Sequence, residues 1–334
     1  MRCFFDPRQL LHAPPLELHN GGFVPFAETP ARVDSILAAI GSTELPRDHG
    51  EAPILRVHTP AYLEFLEAAN RDWRSAGREG DAFPYAFPVA RRRDLRLERI
   101  DARLGRFAMD ACSPISSGTW EAAYWNAQTA LSALEALLGG ERSAFALCRP
   151  PGHHAGADYV GGYCYLNTAA ITAEAAIAAG RTRVAILDID YHHGNGTQDI
   201  FWARGDVLFV SIHADPATDY PFYWGHADET GEGGGEGATL NLPLARGTTL
   251  DAFARALDQA CKRVAAFAPN LLICSYGADT YAADPISHFA IATADYAVLA
   301  STIESLAIPT LIVMEGGYAV DDLGRNVASF LSGF

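Results

Sequence analysis

Short apolar runs alternate along this chain with longer Ala- and Leu-rich stretches at helical spacing, and that alternation restricts the fold more than any other feature. The runs 2–5, 144–148, 184–189, 207–212, 239–242, 271–275 and 310–314 read as strands. The stretches 30–40, 61–70, 120–138, 168–179, 250–267 and 295–306 read as helices, the first opened by Thr29 with Pro30 at its first turn. Strands and helices in alternation predict an α/β fold with a central, mostly parallel sheet flanked by helices. In such sheets ligands bind at the carboxyl ends of the strands. No internal repeat or low-complexity linker divides the 334 residues, so a single domain over 1–334 is expected.

Two segments break the pattern. Residues 72–99 hold Trp73 and the run Arg91-Arg92-Arg93 with weak periodicity, and 213–237 mix aromatics with Gly233–Gly235. Long irregular segments in a compact domain are usually functional or assembly elements. Hydrophobic residues at 49% and charged residues at 19% fit a globular protein with a sizeable core. The net charge of −15 argues against nucleic acid as a partner and favours cationic ligands. The six cysteines show no C-x-x-C spacing and read as reduced thiols of a cytoplasmic protein. Residues 1–11 are too short and polar for a signal peptide, and no apolar run reaches membrane-spanning length.

The chemistry concentrates at three predicted strand ends. The strand at 184–189 runs into Asp188, Asp190 and His192, which share one face of an extended chain. Buried carboxylates need a partner, and a divalent cation supplies one. The strand at 271–275 leads into Asp279, a third ligand if the two strands are neighbours; three protein ligands with open positions suit a catalytic zinc. The first long strand is followed by His153 and His154 in a Pro/Gly loop, an acid–base pair with Asp188 and Asn195 available behind it. The last strand ends in Glu315-Gly-Gly-Tyr318, where a phenol can donate to a developing oxyanion.

Pro-Pro-Gly-His-His (150–154), Gly-Gly-Tyr-Cys (161–164), Asp-Ile-Asp-Tyr-His-His-Gly-Asn-Gly-Thr (188–197), Gly-Ala-Asp-Thr (277–280) and Glu-Gly-Gly-Tyr (315–318) resemble the histone deacetylase superfamily, in its order. Residues 17–25 and 117–121 are most similar to its bacterial acetylpolyamine amidohydrolase branch. The resemblance implies a single-domain arginase–deacetylase fold. It implies one zinc on Asp190, His192 and Asp279, with Fe(II) and Co(II) also compatible, and a structural K+ or Na+ at Asp188, Asp190, His192, Ser211 and Ile212. His153 and His154 would be the acid–base pair, backed by Asp188 and Asn195, and Tyr318 would polarise the scissile carbonyl.

The same resemblance implies that Gly162, Tyr163 and Tyr220 line the substrate tunnel. Glu17 would face the distal ammonium of an acetylated amine. Asp101 matches a second acid, and Cys112 stands where a third is found. Residues 72–99 match an insertion by which those enzymes form homodimers and narrow the entrance. The expected activity is deacetylation of small acetylated polyamines and diamines. The alternative is a lysine deacylase acting on proteins or peptides; Gly277 argues against a two-metal, arginase-type site.

Overall fold

The computed structural model describes residues 1–88 and 96–334, so the run 91–93 lies outside the described residues. The strands are β1 (Arg2–Phe4), β2 (Leu16–His19), β3 (Gly22–Pro25), β4 (Ser143–Ala146), β5 (Val184–Asp188), β6 (Val207–Ala214), β7 (Thr239–Leu244), β8 (Leu271–Tyr276) and β9 (Thr310–Met314). The helices are α1 (Ala31–Ile40), α2 (Pro60–Ser75), α3 (Ile100–Arg106), α4 (Thr119–Leu138), α5 (Thr168–Ala178), α6 (Asn195–Phe201), α7 (Leu250–Phe267), α8 (Asp295–Glu304) and α9 (Val320–Leu331).

Seven strands form one parallel sheet in the order β1-β4-β9-β8-β5-β6-β7, and β2 pairs with β3 in a separate antiparallel hairpin. Strands β5, β6, β8 and β9 are buried at every residue, as covered strands of a parallel sheet must be. All seven predicted sheet strands and all six predicted helices are present, with ends shifted by a few residues.

Local chemistry sets several boundaries. Pro60 sits in the first turn of α2, and Thr59 accepts the Tyr62 amide at 3.4 Å. Asn167 caps α5 by accepting the Ala170 amide at 2.9 Å. The irregular segment expected at 72–99 starts later than its number suggests, because α2 continues through Ser75 and stops before Gly77, at φ 76°. The sequence reading omits three helices (α3, α6, α9) and the β2–β3 hairpin. Residues 215–237 carry only a short 3-10 turn at Gly233–Gly235. Among the described residues no helix is long and apolar enough to cross a membrane.

Candidate active site

The centre of the site is built by two neighbouring strands. β5 and β8 pair in register with Asp188 opposite Ser275, so the loops leaving both strands meet above the sheet. Asp190 and Asp279 are fully buried, and His192 lies between them. His192 Nδ1 is 3.1 Å from Asp279 Oδ2 and 3.4 Å from Asp190 Oδ1. A tetrahedral ion with bonds of about 2.0–2.1 Å has ligand–ligand edges of about 3.3–3.4 Å. The remaining carboxylate oxygens are tied to the backbone: Asp190 Oδ2 accepts the Gly316 amide at 2.9 Å, and Asp279 Oδ1 the Tyr191 amide at 2.9 Å. Gly277 and Gly316 keep this cradle open, since a Cβ on either would run into both carboxylates. Burial and the nearby Asp190 push the Asp279 carboxyl up to about 7. Burial acts on Asp190 in the same sense, but His153 and His192 hold it low. Two buried carboxylates with one imidazole between them fit a dication.

His153 and His154 follow β4, with ring centroids 4.0 Å apart. His153 Nδ1 meets Asp188 Oδ2 at 3.0 Å, and His154 Nδ1 meets Asn195 Oδ1 at 2.7 Å. Because the Asn195 carbonyl only accepts, His154 carries its proton on Nδ1 and leaves Nε2 free. Burial opposes charge on both rings. The Asp190 and Asp188 carboxylates overcome it at His153, raising it to about 10. No carboxylate sits against His154, and burial together with the His153 and His192 charges keeps it neutral. The surroundings thus push the two adjacent rings in opposite directions.

Tyr318 lies beyond β9 and is almost completely buried; burial raises its phenol well above 10, so it remains an O–H donor. Three side chains that the sequence reading left without a role fix its loop. Asp284 Oδ2 accepts the Tyr318 amide at 2.7 Å and the Ala319 amide at 3.2 Å. Arg32 donates to the carbonyls of Gly317 (2.7 Å) and Glu315 (2.5 Å), with its guanidinium 5.1 Å from the Tyr318 ring centroid. Glu315 reaches the other way: Oε2 accepts the amides of Gly152 (2.6 Å) and His153 (3.2 Å), and Oε1 accepts the Ser275 hydroxyl. A single buried carboxylate thus joins the tyrosine loop to the histidine loop.

These groups open into a cavity of about 640 Å³ lined by His154, His192, Gly162, Tyr163, Tyr220 and Tyr318 nearest the chemistry, and by Glu17, Cys112 and Arg246 among others farther out. Glu17 stands on β2, held against the cavity by the hairpin. It is 4% exposed, Tyr163 and the Ala27 backbone are its hydrogen-bond partners, and among the described residues its Oε2 has none. Burial raises its pKa.

The histone deacetylase domain model matches residues 26–334. The chain belongs to the histone deacetylase family. It is 50% identical to acetylpolyamine amidohydrolase 1 of Pseudomonas aeruginosa over 100% of this chain and 99% of that protein. It is 44% identical to the acetylpolyamine amidohydrolase of Mycoplana ramosa, over 100% and 99% respectively. The crystal structure of acetylpolyamine aminohydrolase from Burkholderia pseudomallei superposes with a TM-score of 0.96 at 42% identity, covering 100% of this chain and 98% of that one. The single-domain arginase–deacetylase architecture is shared with that structure.

In this deacetylase the structure brings Asp190, His192, Asp279, His153, His154, Asn195, Asp188 and Tyr318 together, with Gly162, Tyr163, Tyr220 and Glu17 on the cavity wall. Ser211 lies opposite Asp188 in the β5–β6 register, next to Ile212. Asp101 does not join them. It sits in the first turn of α3, ion-paired with Arg78 and with Arg99 at 2.8 Å, and Arg78 first and then Arg99 hold its carboxyl down at about 2. Two guanidinium partners occupy it outside the cavity. A residue without any motif, Asp110, instead reaches the tunnel wall, accepting the Tyr220 hydroxyl at 2.7 Å and the Gly162 amide at 2.8 Å. Neither Asp110 nor Asp284 carries a local signal beyond its charge; only the loops folding over them give each a role.

Proposed function

We propose that this deacetylase removes acetyl groups from N-acetylated polyamines and diamines, with zinc held by Asp190, His192 and Asp279. The observation that carries the substrate class is Glu17, a buried carboxylate on the cavity wall with one oxygen left unpartnered. Such an oxygen costs free energy unless a donor fills it, and an ammonium at the far end of an acetylated amine is that donor. The relatives whose names specify acetylpolyamines, alike over the whole chain, support the same class.

Zinc, when bound, acts as a Lewis acid on the acetyl carbonyl and lowers the pKa of water. His154, neutral and with Nε2 free, takes the proton of the attacking water and returns it to the departing amine. Asn195 fixes the tautomer that this requires. His153, charged and braced by Asp188, offsets negative charge that develops beside it. Tyr318 donates its O–H to the carbonyl oxygen as that oxygen becomes an anion. Tyr163 and Tyr220 pack along the alkyl chain, and Gly162 allows the loop to approach the His154 ring where any Cβ would collide.

We place a K+ or Na+ at Asp188, Asp190, His192, Ser211 and Ile212, beside the main ion. Homodimer formation is assigned to the 72–99 segment, which carries exposed Tyr85 and Phe87 and whose Phe83 meets Phe23 of the hairpin. Phe23 and Tyr85 are 61% and 71% exposed, and the Phe23 and Phe83 rings stack edge-on at 5.2 Å. The free cysteines suit a cytoplasmic enzyme. The deciding measurement is kcat/KM for N-acetylputrescine against that for an acetyl-lysine peptide on zinc-loaded protein. A ratio well above one is expected; a ratio well below one would make the enzyme a lysine deacylase.

A further inference from the structure

We infer that Asp110 determines specificity: from behind the tunnel lining its carboxylate positions both aromatic walls and carries a negative charge that favours a protonated nitrogen of the substrate. This rests on the acetylated-amine reading above and adds to it a residue that Glu17 does not replace.

Asp110 joins three separate stretches of chain. Oδ2 accepts the Gly162 amide at 2.8 Å and the Tyr220 hydroxyl at 2.7 Å. Oδ1 accepts the Cys112 amide at 3.1 Å and the Ser113 hydroxyl at 3.4 Å. Ser113 Oγ in turn accepts the Tyr163 amide at 3.0 Å. One carboxylate therefore holds Gly162 and Tyr220 directly and Tyr163 through a single hydroxyl. The hold has something to resist, since Gly162 and Tyr163 sit at φ 52° and 66°, the left-handed region that a tyrosine avoids. Gly162 also packs against the face of the His154 ring. Movement of this loop would change both the tunnel width and the seat of the base.

The second half of the argument is charge. The donors to Asp110 are neutral N–H, O–H and S–H groups, and among the described residues no Arg, Lys or His forms an ion pair with it. Asp101, by contrast, is matched by two guanidinium groups. Asp110 also lies close enough to Glu17 to disfavour charge on that carboxylate. Glu17 on the cavity wall and Asp110 directly behind it, neither in an ion pair among the described residues, together favour positive charge in the tunnel.

The test compares N-acetyl-1,4-diaminobutane with its neutral isostere N-pentylacetamide on zinc-loaded wild type, Asp110→Asn, Asp110→Glu and Tyr220→Phe, with zinc content and melting temperature as controls. For Asp110→Asn, kcat/KM on the cationic probe should fall about tenfold further than on the neutral one, mostly through KM. Tyr220→Phe keeps the charge and releases one wall, so its losses should be equal on the two probes. Asp110→Glu keeps the charge but displaces the walls; it should retain the cationic preference while kcat falls on both. Equal losses on both probes for Asp110→Asn, or loss of the preference in Asp110→Glu, would overturn the inference. A wild type without cationic preference would overturn the acetylated-amine reading as well, which separates the two failures.

Discussion

Replacing Gly277 by Ala tests the metal cradle without touching a ligand. A Cβ at 277 would run into Asp190 Oδ2 and approach Asp279 Oδ1 to 2.7 Å, the two oxygens that the Gly316 and Tyr191 amides hold in place. Both carboxylates must swing off those anchors. Losing such an orienting partner typically weakens metal affinity by about 10–100-fold, so two together predict a loss of about 10²–10⁴-fold, or about 3–6 kcal/mol. Gly277 does not have a positive φ, so the backbone itself accepts alanine and the fold should survive. Zinc affinity is read by chelator competition, stoichiometry by elemental analysis, and folding by thermal melting. Gly22→Ala, with nothing within 4 Å of the added Cβ, is the control and should stay within about 0.5 kcal/mol of wild type. A folded Gly277→Ala protein that binds zinc as tightly as wild type would refute the ligand assignment.

Further outcomes follow from the same geometry. Tyr318→Phe should lower kcat by about 10²–10³-fold with zinc content unchanged, as expected for loss of one oxyanion donor; steady-state kinetics showing less than a fivefold drop would remove Tyr318 from that role. Glu17→Gln should weaken turnover of acetylputrescine much more than turnover of an uncharged acetyl-lysine analogue, and equal losses would make Glu17 structural. His58 is fully buried, its Nε2 accepting the Asn167 amide at 2.9 Å, and burial lowers its pKa from 6.5 to about 4. The unfolded chain therefore binds the extra proton first as pH falls from 6.5 towards 4, and stability drops through that window. By pH 5 the loss from this residue is about 2 kcal/mol. Urea unfolding of His58→Gln at pH 7 and pH 5 should show a correspondingly shallower decline than wild type, and parallel declines would count against it.

The legible part of the fold was the part in which local pattern and tertiary environment agree. Strands such as β5 and β9 are mostly apolar and buried at every residue, so they stand out in sequence. Helix α6 begins at Asn195-Gly196, residues that favour turns, and α9 contains Gly324 and Asn326; both helices form against their own propensity because packing decides. In α9 the glycine has a reason, since a Cβ at 324 would strike the Ser35 carbonyl on α1. The β2–β3 hairpin carries the strong turn signal Asn20-Gly21, at φ 50° and 80°, and was readable from those two residues. The buried Asp190–His192–Asp279 cluster and the histidine pair were legible because strand-end spacing constrains them. Asp101 and Asp110 were not, since the same residue type serves an arginine pair in one place and a tunnel wall in the other. Only the surrounding loops distinguish them.

The position of β9 also bears on how this molecule is made. It is the last strand in the chain, yet it lies between β4 and β8. Until residues 310–314 emerge from the ribosome, the sheet can exist only as two halves, β1-β4 and β8-β5-β6-β7, each with a bare edge where β9 belongs. The histidine pair follows a strand of one half, and the proposed metal ligands follow strands of the other. A nascent or C-terminally shortened chain would thus carry the candidate metal ligands and the histidine pair on two sheet halves that share no strand pairing. Such a chain would expose two sticky edges to chaperones and have no hydrolytic activity until the last strand slides in.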